Sequence, residues 1–464
     1  MRWPSLLLAL LAGLAVATAD TTSDSSTSTT STSDSSTSID LSTASTVTDP
    51  STVAVPSGDY ITYSTTITLD NGNSSVLVST TAAANATATT TGNQTIVTTT
   101  SDSLTILVGG GGTTTLGNGT MHNATATASS TSTQTPVVNT RPCNNYAEFC
   151  GRNYSNITMV AAHNSPFVRA GNAAANQALD VTAQLDDGVR MLQFQVHYQN
   201  GTMMLCHTSC SILNVGTLEA YLISVAQWMR KNPYDVVTLL IGNYDYVSPE
   251  NFTAPIQASG LYDLAYTPSK IPMGLDDWPT LSEMILTGKR AVFFMDYQAN
   301  QTAVPWLMDE FSQMWETPFS PTDANFPCTE QRPPNLSQQD AKSRMYMANH
   351  NLNLELNLGS LSLLIPNTAT ISQTNAVNGN GSLGWMANNC TRDWNRPPNF
   401  LLVDYYNYGN FNGSVFEVAA EMNNVTYSRT CCGVASAALP GMVASSVSTM
   451  LVIATGVQLL LSAF

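Results

Sequence analysis

The chain has 464 residues and a formal net charge of −16, with 16 Lys and Arg set against 32 Asp and Glu. That balance excludes nucleic acid as a partner, because a phosphate backbone is bound by Lys and Arg that displace its counterions, and no basic stripe is present. Only 10% of residues are charged, so solubility is expected to come from attached glycans.

Met1 and Arg2 precede the apolar run Leu6 to Val16, and Ala17-Thr18-Ala19 supplies small residues for cleavage, so residues 1–19 read as a signal peptide. Residues 20–140 are dominated by Ser and Thr, with Asp24, Asp34, Asp40 and Asp49 scattered among them. Too few large apolar residues are present to offset ordering entropy, which predicts a disordered, O-glycosylated stalk. Two islands, Tyr60 to Leu69 and Leu104 to Val108, alternate well enough for local strands. Asn-X-Ser/Thr acceptors at Asn85, Asn123, Asn153, Asn156, Asn200, Asn251, Asn335, Asn389 and Asn424 imply heavy N-glycosylation.

Composition changes at Pro142-Cys143, and residues 141–432 read as one α/β domain. Strands are expected at Ile157 to Ala162, Arg190 to Val196, Asp235 to Ile241, Arg290 to Asp296, Arg344 to Ala348 and Phe400 to Tyr405. Helices are expected at Asn176 to Asp187, ended by Gly188, and along the apolar face Leu218, Tyr221, Leu222, Val225 and Met229. Thr280 with Glu283 predicts a capping box ahead of a further short helix. Repeated strand-helix units of this length predict a parallel sheet with helices outside, and their number suits a closed, irregular TIM-type (β/α) barrel.

In such barrels ligands bind at the carboxyl ends of the strands. That rule selects His163-Asn164, Gln193, Gln195, His197, His207 at the end of a hairpin partner, Asp296, Asn349-His350 and Asp404. Four of the five histidines fall on this set. The ordered runs Met159-Val-Ala-Ala-His163-Asn164-Ser165-Pro166, Leu185-Asp-Asp-Gly188-Val-Arg190-Met-Leu and Met204-Leu-Cys-His207 resemble the X region of the phosphatidylinositol-specific phospholipase C superfamily, in particular its secreted fungal PLC-like phosphodiesterases. The resemblance covers Cys143 to Cys432.

The resemblance implies a distorted TIM barrel in which two histidines, here His163 as base and His207 as acid, transfer a phosphodiester to a neighbouring hydroxyl, with Asp404 orienting His163. Such a pair is chemically sound, since one imidazole takes the nucleophile's proton while the other protonates the leaving oxygen. Where bacterial members carry an arginine and the eukaryotic signalling enzymes carry calcium-binding acids, this chain has Gln193 and Gln195. An amide donates hydrogen bonds to phosphate without the guanidinium charge, and it is a poor calcium ligand, so no essential metal or other cofactor is expected. His197 and Arg169 are the candidate sources of positive charge. Asn164, Gln193, Gln195, His197, Asp296 and His350 are the candidate substrate contacts, and Tyr244, Tyr246, Tyr405 and Tyr406 are candidates for stacking on a ring.

The expected function is a cell-surface phosphoric diester hydrolase or lyase, acting as a monomer on a phospholipid or glycolipid head group that can contain inositol. The alternative is a catalytically inactive barrel that serves as a cell-wall or surface binding module. Eight cysteines, all beyond the stalk, predict disulfides of open connectivity. The uncharged apolar run Val443 to Phe464, behind small residues at Gly433 to Ala438, makes residues 433–464 an expected GPI-attachment signal. It would tie the chain to the outer membrane leaflet or pass it to the cell wall.

Overall fold

The computed structural model describes residues 141–432 except 359, 360 and 412, together with 44–46, 60–63, 65–69, 87–90, 95–98, 104–108 and 112–116. The expected signal peptide, the anchor signal and most of the stalk lie outside the described residues. Both stalk islands pair as strands: Ile67–Thr68 with Lys270–Ile271, and Leu104–Val108 with Gly112–Leu116.

The first strand of the domain, β1 (Met159–Ala162), consists of four buried apolar residues. Helix α1 (Val181–Asp187) starts later than the sequence suggests, because the Asp180 side chain accepts from the Ala183 N–H and fixes the N-cap there. The backbone N–H groups of Asn176 and Gln177 go instead to the Phe167 carbonyl. Gly188, at φ 126°, ends the helix in a conformation that a side chain would disfavour. The chain continues through β2 (Met191–Gln199), β3 (Thr202–His207), β4 (Leu213–Thr217), α2 (Leu218–Lys231) and β5 (Val237–Asn243). Next come α3 (Leu281–Leu286), which carries the expected Thr280/Glu283 capping box, and β6 (Ala291–Met295). A compact stretch follows, made of β7 (Leu307–Asp309), α4 (Glu310–Gln313) and β8 (Met314–Glu316). The remaining elements are β9 (Met345–Asn349), the hairpin β10 (Asn353–Leu358) and β11 (Leu361–Pro366), α5 (Leu383–Trp394), β12 (Phe400–Val403) and α6 (Val415–Met422).

The main sheet follows the path β7-β6-β5-β2-β1-β12-β9-β8, every neighbouring pair parallel, with β3 paired antiparallel to the end of β2 and β4 paired antiparallel to β3. This is the chain order wrapped on itself, as in a (β/α) barrel. The expected closure is incomplete: among the described residues no ladder joins β7 to β8, which are bridged by the four residues of α4.

Strand alternation separates two cores. Met159, Ala161, Met191, Leu240, Phe294, Met345, Met347 and Phe400 fill the barrel interior. Val160, Leu192, Phe194, Leu239, Ile241 and Phe293 face outward onto helix residues such as Leu222 and Val225 of α2. Four of these eight are methionines, whose unbranched, flexible side chains adapt to irregular packing. Three disulfides answer the open connectivity for six of the cysteines: Cys143–Cys150, Cys206–Cys210 and Cys328–Cys390.

Candidate active site

A cavity of about 440 Å³ opens at the carboxyl ends of the strands and is lined by His163, Asn164, Gln193, Gln195, His207 and Asp296. Its size is in the range of small-molecule sites. Six of the nine site residues read from the sequence therefore meet on one surface.

The register brings His163 and Asp404 together. Val403 pairs with Ala162, so the next residue on each strand stands beside the other. His163 Nδ1 lies 2.8 Å from Asp404 Oδ1, which fixes the tautomer with Nε2 as the acceptor. The Asn176 amide donates to the same Asp404 oxygen at 2.9 Å, and Gln177 Nε2 donates to the His163 carbonyl at 2.8 Å. The strand-end rule picks out neither, since both fall where the sequence pattern reads as helix. Asn164 Nδ2 approaches His163 Nε2 at 3.2 Å.

Gln193 and Gln195 point inward by strand alternation from Met191. The Gln193 Oε1 accepts from the Asn164 N–H at 2.7 Å, and the Gln195 Oε1 from the Thr208 N–H at 3.4 Å. With their oxygens engaged, both amides have N–H groups available for a ligand. Gly242, beside Gln195 in the register, keeps the wall open there. His207 ends β3, is 6% exposed, and takes the edge of the Phe167 ring at 5.3 Å. Burial, then the charge of His163, push its pKa down to about 4.

The opposite wall holds a charged group that the sequence did not signal. Arg332, fully inside the domain, donates from Nη1 to Glu316 Oε2 at 3.0 Å and from Nη2 to the Tyr297 hydroxyl at 2.8 Å, with Asp296 Oδ2 at 3.7 Å. Phe319 and Phe311 flank the guanidinium at 4.4 and 4.9 Å. Burial raises Asp296 to about 6 against the lowering effect of Arg332, and burial followed by the Glu316 charge raises Glu310 well above the carboxylate range. Glu316 closes a three-residue strand and Arg332 sits in a loop, so neither carried a periodic pattern.

Two candidate contacts lie off the cavity lining. His197 shares a strand face with Gln195, but its Nδ1 bonds Asp245 Oδ1 at 3.1 Å and its ring packs on Tyr244, which places it behind the cavity wall. His350 is buried outside the cavity, with Nε2 donating to the Thr374 carbonyl at 2.8 Å and its ring 3.9 Å from that of Phe326; burial lowers it to about 3. The expected charge sources are replaced as well. Arg169 bonds the Asn214 carbonyl and lines a separate groove, and the guanidinium in the cavity is that of Arg332. Tyr244 and Tyr246 line the cavity, whereas the Tyr406 hydroxyl bonds Asp187 and Tyr405 faces the separate groove.

A family model described as PI-PLC X 1 matches residues 149–423. The chain belongs to the PI-PLC X domain family. It is 65% identical over 316 residues to an uncharacterized secreted protein of Arthroderma benhamiae, covering 68% of this chain and 72% of that one. It is 40% identical over 270 residues to a PI-PLC X domain-containing protein 1 of the same fungus, covering 58% of this chain and 86% of the relative. The phosphatidylinositol-specific phospholipase C of Listeria monocytogenes is a structural neighbour at 14% identity and a TM-score of 0.40, covering 58% of this chain and 94% of the bacterial one. Within the PI-PLC X family, the site of this chain has amides at Gln193 and Gln195 and an arginine held by acids across the cavity.

Proposed function

We propose that this chain is an extracellular phosphodiesterase of the phospholipase C type that cleaves a lipid-borne phospho-head group by internal transfer. The observation that carries the reading is the placement of His163 and His207 on one cavity, with Asp404 on the far nitrogen of His163. In the proposed reaction His163 Nε2 takes the proton of a head-group hydroxyl, and that oxygen attacks phosphorus. The P–O bond to the lipid alcohol breaks, and His207 gives its proton to the departing oxygen, leaving a cyclic phosphodiester. The Gln193 and Gln195 amides donate to the phosphate oxygens, while Asp296 and Arg332 receive head-group hydroxyls. No step requires a metal. The secreted relative in Arthroderma benhamiae supports an extracellular location, and residues 433–464 are proposed to direct GPI attachment, to be read as an ethanolamine-linked C-terminal peptide by mass spectrometry.

The test is turnover of phosphatidylinositol and of an inositol phosphodiester with an aryl leaving group, each with chelator present. Parent activity that survives chelation and is lost in His163→Ala supports the reading. His207→Ala should lose activity on the lipid yet retain most of it on the aryl diester, whose leaving group needs no proton. A parent inactive on both, and on several other head groups, moves the assignment to a binding module. One observation favours that second reading: Arg332 is matched by Glu316 and Asp296, so among the described residues the cavity offers no uncompensated cation for phosphate.

A further inference from the structure

The two histidines are held in different ways. The His163 ring is fixed by Asp404, itself bonded by Asn176. Among the described residues the His207 ring has no such partner: its Nδ1 is buried without a hydrogen bond, and the ring packs edge-on with that of Phe167. Its backbone, however, is closed on itself. Cys206 and Cys210 are bridged, so His207 lies inside a loop of five residues. Within that loop the Ser209 N–H bonds the His207 carbonyl at 2.6 Å, and the Thr208 N–H reaches Gln195 Oε1. Thr208 is held at φ 60°, which a β-branched residue rarely adopts unless its surroundings impose it. The register continues on both sides of the turn, Leu213 with His207 and Asn214 with Cys206. Alternation along β3 puts the Cys206 side chain, fully buried, on the face opposite His207. The bridge therefore restrains the backbone of His207 without entering the cavity.

We propose that the Cys206–Cys210 disulfide is the positioning device for His207, doing through the main chain what Asp404 does for His163 through the ring. So short a loop gains little from disulfide loop entropy, so the effect is local rather than global. The inference rests on the phosphodiesterase reading, with His207 delivering the proton to the leaving oxygen. A misplacement of an ångström in a proton donor is enough to cost about 100-fold in rate.

The experiment compares the full chain, made through the secretory route, with Cys206→Ala/Cys210→Ala and with Cys143→Ala/Cys150→Ala. The second bridge lies at the amino ends of the strands, where Asn144 bonds Val236. The expected result for the 206/210 pair is a fall in kcat of about tenfold or more on phosphatidylinositol, with KM within about twofold. On the aryl diester the loss shrinks to less than about threefold, because that leaving group needs no acid. The 143/150 pair leaves the ratio between the two substrates unchanged. Equal losses on both substrates, or none, overturn the proposal. If the 206/210 variant does not fold, the same ratio is read on folded parent treated with a phosphine reductant, with thiols counted by mass. A parent inactive on both substrates sinks the phosphodiesterase reading alone. The positioning claim is then judged from the His207 ring resonance in histidine-labelled samples, among only five histidines. A dispersed line in the parent that collapses in the 206/210 variant supports it, and an unchanged line overturns it.

Discussion

Each candidate residue does what its neighbours leave it free to do. Asp404 keeps the Nδ1 proton of His163 in place, so Asp404→Asn would let the ring take the other tautomer. The expected outcome is a kcat loss of at least about 100-fold with the melting temperature little changed, read by steady-state kinetics beside calorimetry. His207 gives a pH signature. With its pKa lowered to about 4 by burial and by His163, it carries its proton below that value and loses it above, so a general-acid role predicts that kcat/KM declines as pH rises through about 4. A bound anionic phosphodiester favours the imidazolium, so the same limb in kcat moves to higher pH. Identical limbs in the two profiles, or none on the alkaline side, would reject His207 as the acid.

At the scale of elements, the seam between β7 and β8 is where the barrel departs from the regular pattern. The α4 segment fills it with Phe311 inside, and Phe311→Ala is expected to cost about 3–5 kcal/mol in a denaturant titration. Asp309 caps α4 by accepting from the Ser312 N–H at 2.8 Å, and burial raises its pKa to about 7. Its folded value lies above its unfolded one. The favourable contribution is therefore present below the ordinary carboxylate pKa and is lost as pH rises through about 7. Asp309→Asn keeps a capping oxygen and removes the titration, so the fall in melting temperature between pH 4 and 7 should be shallower than in the parent. These two strands were invisible in the sequence because three residues carry no period, whereas β5 and β6, with five to seven buried residues each, announced themselves as apolar runs.

Across the whole molecule, part of the Ser/Thr-rich region belongs to the domain. Tyr60 sets its ring edge against Phe311 and Tyr297 at 4.8 and 5.9 Å, next to the seam, and the Leu69 N–H bonds the Ser269 carbonyl. A chain trimmed to begin at residue 141 should therefore be less stable than one trimmed to begin at residue 57, by about 1–3 kcal/mol for the buried aromatic surface. Equal melting temperatures would show that the segment adds nothing.

The sequence by itself determined the strand-helix alternation and the strand-end placement of His163, Gln193, Gln195 and Asp404, and the family resemblance implied that Asp404 orients His163. These follow from local periodicity, from a family motif and from the rule that barrel sites gather at strand ends. Tertiary structure alone decided the rest. His197 and His350 satisfied every local criterion, yet Tyr244 screens one and the Thr374 carbonyl claims the other. Arg332 satisfied none, lying in a loop with no pattern, and became the cavity's guanidinium because Glu316, Asp296 and three aromatic rings converge on it. The physical reason is range: alternation and capping act over a few residues and are written locally. Which ion pair is buried, and which histidine is spent on a carbonyl, depends on contacts between segments whose separation leaves no trace in either.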